Sequence, residues 1–495
     1  MSILVKKKFY ITTAIPYVNA NPHLGHALEF VQTDVIARYQ KLLGKDAFLT
    51  TGADENSLKN VQAAEEAGIT TQELCNKNAE IFKELANKIG LSFDSFLRSS
   101  SKKDHWLGVY KLWELCKKSG DIYEKKYKGL YCVGCEAFYT DNELVNGLCP
   151  EHKKKPEVVE EENYFFRLSK YQKRIEKLIE TGELRIVPET RNNEVLSFVR
   201  NGLEDFSISR SIARAKGWGV PVPDDKSQIQ YVWFDALGIY LTGVGYGTDE
   251  KLFTKWWPAD LHVIGKGIIR FHAIYWPAIL LSAGLKLPKS LLVHGYITVE
   301  GQKMSKSLGN VVNPLDLLKK YPADALRYFL IKEIPVADDG DFSERALINR
   351  INGELVSDLG NLIYRVLSLA EKFKGKIEGR PELKERLDLD KIKKFMEDYR
   401  LNEALEGIWE FIRVTNKYVN ENEPWKLQGK ELANVLYNLL EACRIIAILI
   451  SPFLPTTAEK INKQLGIKAG ELKDCKFRKF NGKIKKGEYL FKKIE

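Results

Sequence analysis

Residues 9–28, FYITTAIPYVNANPHLGHAL, decide the fold of this 495-residue chain. Residues 9–14 are mostly β-branched or aromatic and predict a strand. Proline and asparagine then predict a loop, and from about Gly25 the apolar residues recur near the 3.6-residue period of a helix. His23, Gly25 and His26 therefore lie where a helix opens after the first strand of a parallel α/β sheet. Such a helix start favours phosphate binding, although a purely structural pair of histidines remains possible from this string alone.

A second string, Lys303-Met304-Ser305-Lys306-Ser307, follows a predicted strand over residues 291–299 and a turn at residues 300–301. Lys303 and Lys306 are three residues apart and can both approach one anion, such as departing pyrophosphate. Lysines in a polar loop are usually only solvated surface. The two strings in this order, however, resemble the two ATP motifs of class I aminoacyl-tRNA synthetases. That resemblance implies catalytic roles for His23, His26, Lys303 and Lys306, and ATP contacts from Gly25, Ser305 and Ser307 as well.

Composition is compatible with an intracellular enzyme. With 44% hydrophobic residues the chain can bury two or more cores. No stretch approaches the ~18 unbroken apolar residues that a membrane helix needs, and the first residues lack the order of a secretory signal. We therefore expect a cytoplasmic protein without a membrane partner. The net charge of +10 suits a polyanionic partner, although a solvated lysine-rich surface explains it equally well. Seven scattered cysteines argue against a disulfide framework.

The resemblance narrows to the methionyl-tRNA synthetase family and covers nearly the whole chain. Four strings carry it: Ala14-Ile15-Pro16-Tyr17, Gly52-Ala53-Asp54-Glu55, residues 231–240 (YVWFDALGIY) and residues 271–277 (FHAIYWP). It implies activation of methionine with ATP and Mg²⁺, followed by transfer to tRNA(Met). Two departures are visible. The chain has Glu55-Asn56-Ser57 where the family commonly has Glu-His-Gly, and Gly267 where an aspartate is common, which puts in doubt that carboxylate's contact with ATP ribose or magnesium.

The four strings also have the chemistry of a methionine pocket. Ile268, His272 and Trp276 are spaced by four and share one helical face. A thioether gains from contacts with aromatic rings, and its sulfur is a weak acceptor for donors such as Tyr240 and His272. Aromatic stripes at this spacing are more often core, so the match of all four strings is what favours a pocket. The predicted methionine-binding residues are Ala14, Ile15, Tyr17, Asp54, Trp233, Ala236, Leu237, Tyr240, Ile268, His272 and Trp276; the resemblance assigns the substrate ammonium to Asp54.

An insertion over residues 117–225 carries Cys132-x2-Cys135 and Cys149-x2-His152. Two such pairs match the closed tetrahedral site of a structural zinc ion, and predict one ion per chain. A redox-active cysteine pair is the alternative, but it explains only Cys132 and Cys135. The insertion is short beside the editing domains of the isoleucine, valine and leucine enzymes. A hydrophobic pocket alone separates substrates differing by one methylene by only ~1–3 kcal/mol, which is why those enzymes need a second site.

The last third of the chain predicts a helix bundle. Apolar residues recur at three- and four-residue steps from about residue 346, with further runs at 391–420 and 430–451. In the family such a bundle binds the anticodon, which implies base contacts from Asn361, Arg365 and Trp425. The chain ends where many relatives continue into a tRNA-binding, dimerising module, so we expect a monomer or a separate subunit carrying that module.

The predicted architecture is therefore α/β followed by all-α: a split Rossmann-like catalytic domain with a zinc-knuckle insertion, then an anticodon-binding bundle. The predicted domains are residues 1–116 and 226–298 for the two catalytic halves, 117–225 for the insertion, 299–345 for the loop and stem-contact region, and 346–495 for the bundle. Two rival interpretations stay open: a synthetase for another apolar amino acid such as leucine, and a non-catalytic tRNA-binding paralogue.

Overall fold

The computed structural model describes residues 6–135, 137–139, 141–151, 153–304 and 309–495. The strands are β1 (Lys8–Thr13), β2 (Asp46–Ala53), β3 (Ser95–Arg98), β4 (Ile122–Cys132), β5 (Ala137–Tyr139), β6 (Glu157–Phe166), β7 (Arg185–Val187), β8 (Phe206–Ser207), β9 (Ser209–Ser211), β10 (Pro221–Val222), β11 (Asp225–Gln230), β12 (Leu261–Gly265), β13 (Ser290–His294), β14 (Ile297–Val299), β15 (Gln302–Lys303) and β16 (Gly340–Phe342).

The α-helices are α1 (Leu24–Leu42), α2 (Leu58–Ala67), α3 (Thr71–Lys88), α4 (Leu107–Lys118), α5 (Gln172–Glu180), α6 (Glu189–Arg200), α7 (Val232–Leu237), α8 (Ile239–Thr242), α9 (Glu250–Trp256), α10 (Trp276–Ser282), α11 (Pro314–Lys320), α12 (Ala323–Glu333), α13 (Glu344–Arg350), α14 (Asn361–Lys372), α15 (Leu389–Glu397), α16 (Leu401–Asn422), α17 (Gly429–Ile450) and α18 (Pro455–Leu465).

A six-stranded parallel sheet forms the centre of the first two thirds of the chain. Its strand order is β3-β2-β1-β12-β13-β7. The chain runs outward from β1 through β2 to β3, and returns on the other side of β1 as β12. Strands β1 and β13 are almost wholly buried, as parallel strands covered on both faces are. The split α/β architecture expected from the sequence is confirmed.

The segment between β3 and β12 contains two small antiparallel sheets. The larger has the order β5-β4-β6-β8, and its long β4–β6 ladder pairs Ile122 with Phe166 at one end and Tyr131 with Glu157 at the other. Strand β7 lies within residues 117–225, the predicted insertion, but it does not belong to the two small sheets. It pairs in parallel with β13 as the sixth strand of the central sheet.

The strand predicted over residues 291–299 is two strands in different sheets. Strand β13 ends at His294, and β14 begins at Ile297 in a separate three-stranded sheet with β15 and β16. Gly295 lies in the break and has no room for a side chain, because a Cβ there would lie 2.2 Å from the carbonyl oxygen of Asp338. The turn predicted at residues 300–301 is present: Glu300 and Gly301 have φ of 51° and 76° and join β14 to β15 as a tight hairpin.

The helical bundle begins at Glu344. Helices α13 and α14 flank a π-helix, Ile351–Gly360, so that residues 344–372 form one continuous helix. The apolar residues expected to face the core are all buried: Leu347, Ile351, Leu355, Leu359, Leu362, Val366 and Leu367. Four-residue spacing keeps them on one face because a π-helix is wound more loosely than an α-helix. The run predicted over 391–420 is two helices, α15 and α16, separated at Tyr399, whose φ is 57°.

A buried ion pair connects the central sheet domain to the bundle. Arg327 on α12 lies 2.7 Å from the Asp34 carboxylate on α1. Its guanidinium also donates to the carbonyls of Pro452 and Phe453, between α17 and α18, at 2.9 and 2.8 Å. Because Arg327 is 1% exposed, this cluster holds the two regions in one relative position.

Helix α17 is, among the described residues, the one helix long and apolar enough to cross a membrane. In its most apolar window, 94% of the residues are buried against the rest of the protein. It is thus the central helix of the bundle, and its apolar character serves packing within the protein.

Candidate functional site

The predicted ATP residues His23, Gly25 and His26 lie at the carboxyl edge of the central sheet, where the strand order reverses. Strand β1 has β2 on one side and β12 on the other. His23 and His26 follow β1 at the opening of α1. Across the sheet, Glu29 of α1 lies 3.0 Å from the imidazole of His294, which ends β13. Ligands of open parallel sheets bind in the crevice at such a switch point, so the opening of α1 and the end of β13 flank a candidate cleft.

His23 and His26 cap helix α1. The His23 Nδ1 accepts the N–H of Gly25, and the His26 Nδ1 accepts the N–H of His23, both at 3.1 Å. The rings stack with centroids 3.9 Å apart. Burial lowers the pKa of His23 to about 4, and burial with the neighbouring histidines holds the pKa of His26 well below its usual range. Both rings are therefore neutral near pH 7, and because each Nδ1 accepts, each Nε2 carries the hydrogen.

The second ATP motif is only partly described. Lys303 ends the β14–β15 hairpin and is exposed, with its Nζ 3.8 Å from a carboxylate oxygen of Glu151. The predicted residues Ser305, Lys306 and Ser307 lie outside the described residues.

The aromatic residues of the predicted methionine pocket lie together. Trp233 on α7 meets the ring of Tyr17 edge-on at 6.3 Å and that of His272 at 6.2 Å. Phe271, which the sequence analysis did not single out, stacks on Trp233 with centroids 3.7 Å apart and planes 6° apart. Phe271 belongs to one of the four quoted strings, and the stacking that makes it important is not visible in sequence.

Tyr240 and His272 form a hydrogen-bonded pair beside Trp276. The His272 Nδ1 lies 2.9 Å from the Ile268 carbonyl, which can only accept, so Nδ1 carries the hydrogen. The Nε2 then accepts from the Tyr240 hydroxyl at 2.7 Å. Burial lowers the pKa of His272 to about 4. The His272 Nδ1–H and the Tyr240 O–H, the two donors expected to reach a substrate sulfur, are thus both bonded within the protein. Donation to the sulfur requires this pair to rearrange.

The smaller predicted pocket residues line the same region. Ala236 and Leu237 are buried on α7, and Ala14 is buried directly after β1. The Ile15 side chain packs against Gly52: a Cβ built on Gly52 would lie 3.3 Å from it. Trp276 is fully buried and touches Tyr240 and Trp257, so it also serves the core.

Asp54 directly follows β2 and is held by the loop after β1 and by Asn56. Asp54 forms a parallel bridge with Tyr17, and its carboxylate accepts the N–H of Asn56 at 3.2 Å. The Asn56 amide donates to the Asp235 carboxylate at 2.6 Å and to the Ser99 carbonyl at 3.0 Å. Ser57 caps α2 by accepting the N–H of Lys59.

A second group of buried residues supports Asp235. His105 lies 2.7 Å from the Asp235 carboxylate and 2.8 Å from the Thr242 hydroxyl. No sequence motif links these residues, which are separated by about 130 positions, and only the fold brings them together.

Three of the four predicted metal ligands converge. The sulfur atoms of Cys132, Cys135 and Cys149 lie within 4.8 Å of one another, and those of Cys135 and Cys149 are 3.3 Å apart. A tetrahedral zinc site places sulfur atoms about 3.8 Å apart, so this donor set fits. The predicted fourth ligand, His152, lies outside the described residues. The three thiols form a group that can hold a metal ion.

The predicted anticodon residues also lie on one surface of the bundle. Asn361 and Arg365 are one turn apart on α14. The Arg365 guanidinium lies over the ring of Trp425 at 5.9 Å and donates to the Asn420 amide oxygen at 2.9 Å. Trp425 is 53% exposed, and so presents a free ring surface.

Comparison with known families agrees with this geometry. Residues 9–155 and 152–367 match the family described as tRNA synthetases class I (M). Residues 387–491 match the anticodon-binding domain of tRNA ligases. The chain belongs to the class I tRNA synthetases, in the family marked M.

Individual relatives are more specific. A protein of Thermotoga maritima named methionine–tRNA ligase is 44% identical, over 99% of this chain and 80% of its own length. One of Brucella suis with the same name is 42% identical over 94% of this chain and 93% of its own. Among solved structures, the methionyl-tRNA synthetase of Mycobacterium tuberculosis in complex with methionyl-adenylate has a TM-score of 0.92 at 39% identity, covering 98% of this chain and 99% of that one. Its free form has a TM-score of 0.85.

Proposed function

We propose that this protein is a methionine–tRNA ligase, which activates L-methionine with ATP and transfers it to tRNA(Met). The observation that carries the proposal is the pair of Nε2–H donors at the opening of α1, placed at the switch point of a parallel sheet. Relatives named methionine–tRNA ligase align with nearly the whole chain, which supports methionine over leucine and an active enzyme over a paralogue.

In the first step an oxygen of the methionine carboxylate attacks the α-phosphorus of ATP, which is used as its magnesium complex. The new O–P bond forms as the bond from the α-phosphorus to the bridging oxygen breaks, and pyrophosphate leaves with that electron pair. The neutral His23 and His26 donate from Nε2 to phosphate oxygens, and Lys303 and Lys306 neutralise the departing pyrophosphate. No protein nucleophile is needed, because positioning and charge stabilisation lower the barrier.

In the second step a terminal ribose hydroxyl of the tRNA attacks the methionyl carbonyl. The ester bond forms, the bond to the phosphate oxygen breaks, AMP leaves, and the hydroxyl proton passes to phosphate or solvent. Asp54 binds the substrate ammonium through both steps. The rings of Tyr17, Trp233 and His272, with Tyr240 and Trp276, enclose the thioether, while Ala14, Ile15, Ala236, Leu237 and Ile268 fill the remaining wall.

Outside the catalytic centre, we propose a structural zinc ion held by Cys132, Cys135, Cys149 and His152. Four ligands leave no open position for chemistry, and the ion would fix the tip of β4.

Asn361, Arg365 and Trp425 bind the anticodon by hydrogen bonds and stacking. The proposed domains are the two catalytic halves at 1–116 and 226–298, the insertion at 117–225, the loop and stem-contact region at 299–345, and the helical bundle at 346–495. Strand β7 of the insertion joins the central sheet. The enzyme acts in the cytoplasm as a monomer.

The test is ATP–pyrophosphate exchange with methionine, leucine and isoleucine offered separately. We expect exchange with methionine alone. Exchange with leucine alone, or none with any amino acid, would refute the proposal. Lys306→Ala is the matched variant: it should slow adenylate formation far more than it weakens methionine binding.

A further inference from the structure

His105 connects the two short helices that carry part of the aromatic wall of the pocket. It lies on a π-helix, Lys102–Trp106, and its side chain is fully buried. The His105 Nε2 lies 2.7 Å from the Asp235 carboxylate on α7, and its Nδ1 lies 2.8 Å from the Thr242 hydroxyl on α8. Because a carboxylate can only accept, Nε2 carries the hydrogen of the first contact. These two contacts are named the His105 bridge.

The two helices meet at Gly238, and the imidazole lies against that joint. Helix α7 ends at Leu237 and α8 begins at Ile239. A Cβ built on Gly238 would lie 3.7 Å from the His105 Cε1 and 3.1 Å from a methyl group of Val109. Because glycine has no side chain, nothing of its own separates the imidazole from the two helices. The His105 bridge therefore holds α7 and α8 at one angle to each other.

Each of these helices carries one aromatic ring of the predicted methionine pocket. Trp233 lies on α7 and Tyr240 lies on α8. Both rings contact the imidazole of His272, with centroids 6.2 and 5.6 Å from its own. The angle between α7 and α8 therefore sets the separation of the two rings.

The Asp235 carboxylate also holds the loop that contains Asp54. One of its oxygens contacts His105, and the other accepts the Asn56 amide at 2.6 Å. The Asn56 backbone N–H in turn donates to the Asp54 carboxylate at 3.2 Å. A buried carboxylate is costly unless its oxygens are hydrogen-bonded, so Asp235 depends on both donors. His105 and Asn56 thus fix α7 relative to the residue assigned to the substrate ammonium.

We infer that His105 is a positioning residue that determines specificity in methionine activation, because its bridge between α7 and α8 sets the width of the thioether pocket. This assignment rests on the proposed function. His105 acts through Asp235 and Thr242 rather than by touching the substrate. A hydrophobic pocket distinguishes substrates that differ by one methylene by about 10–200-fold, and that distinction requires walls that stay in place.

Thr242→Val tests the bridge, because valine keeps the branched shape of threonine and removes only the hydroxyl. ATP–pyrophosphate exchange is measured with methionine and with ethionine, whose S-ethyl group adds one methylene. We expect KM for methionine to rise by about threefold to tenfold, the value of one hydrogen bond, and KM for ATP to stay within about twofold of wild type. The ratio of kcat/KM for methionine to that for ethionine should fall by about tenfold. An unchanged ratio, or an equal rise in KM for methionine and for ATP, overturns the inference.

Thr457→Val is the matched control for a purely structural effect. The Thr457 hydroxyl is also buried, and it donates to the buried carboxylate of Asp324 at 2.7 Å, in the contact between α18 and α12. Both valine variants should lower the free energy of unfolding in urea denaturation, but only Thr242→Val should change the methionine-to-ethionine ratio. An equal fall of this ratio in Thr457→Val would show that general loosening is the cause, and would overturn the inference.

His105→Gln and His105→Ala test the imidazole itself. The glutamine amide N–H can take the place of Nε2–H and keep the contact with Asp235, whereas alanine loses both contacts of the bridge. The methionine-to-ethionine ratio should therefore fall further in His105→Ala than in His105→Gln, and equal falls contradict the bridge. Wild-type exchange with methionine tests the proposed function alone, so the two failures are distinguishable.

Discussion

Replacing His23 by asparagine, and separately by alanine, should separate the two roles that the geometry gives this histidine. The His23 Nδ1 is used in capping α1, since it accepts the Gly25 N–H at 3.1 Å. Only Nε2–H remains for a phosphate oxygen. Asparagine is among the best capping residues, whereas alanine caps poorly. His23→Asn therefore keeps the cap and loses the phosphate donor, and His23→Ala loses both.

The magnitudes follow from these two contacts. Loss of a helix cap costs roughly 0.5–2 kcal/mol of stability, so His23→Ala should be less stable than His23→Asn by about 1 kcal/mol. Loss of a donor to charge developing in the transition state costs about 10²–10³ in rate. Both variants should therefore form adenylate about 10²–10³ times more slowly than wild type.

Rapid-quench measurement of methionyl-adenylate formation at saturating methionine and ATP gives the rate, and urea denaturation gives the stability difference. A rate for His23→Asn within about threefold of wild type would refute the phosphate role. Equal stability of the two variants would refute the capping role.

The pH dependence of stability provides an independent check. The folded pKa of His23 is about 4, below its unfolded value of about 6.5. The unfolded chain thus binds more protons between these values, and the contribution is complete above pH 6.5 and is lost as pH falls towards 4. Wild type should lose more stability over this interval than His23→Asn does.

Three other variants test separate parts of the structure. Trp425→Ala removes a half-exposed ring, so it should leave stability and ATP–pyrophosphate exchange unchanged. It should weaken tRNA binding by about 1–3 kcal/mol, measured as KM for tRNA in aminoacylation. A matching loss in exchange would contradict the anticodon role. Cys132→Ser should lower bound zinc from about one per chain to almost none by elemental analysis, and should make the insertion protease-sensitive; unchanged zinc content would count against the site. Asp34→Asn leaves Arg327 buried without its counter-charge, so it should lower the free energy of unfolding by about 3–5 kcal/mol in urea denaturation. Adding Arg327→Met to Asp34→Asn should recover much of that loss. If the effects of the two changes are additive, the ion pair is not the cause.

How far the sequence predicts this molecule depends on whether a feature is local or assembled by the fold. The helix opening at His23, the Glu300-Gly301 turn and the buried face from Leu347 to Leu367 depend on neighbouring residues, and the structure confirms them. The division of residues 291–299 between two sheets depends on the distant strand β16, which pairs with β14, so periodicity could not predict it. The stacking of Phe271 on Trp233 and the pairing of His105 with Asp235 likewise join separate strings.

Asn56 serves the site as a hydrogen-bond donor, whereas Gly267 serves it by having no side chain. At position 56 an imidazole N–H and an amide N–H are interchangeable donors, and the Asn56 amide reaches both Asp235 and Ser99. At position 267 a Cβ would lie 2.2 Å from the Tyr296 hydroxyl oxygen, so the glycine leaves room for that side chain. The aromatic walls have no such substitute, because the 3.7 Å stacking of Trp233 on Phe271 depends on ring area and orientation. The contacts of Asn56 therefore need only an amide donor at that position, whereas the Trp233 stack needs both rings.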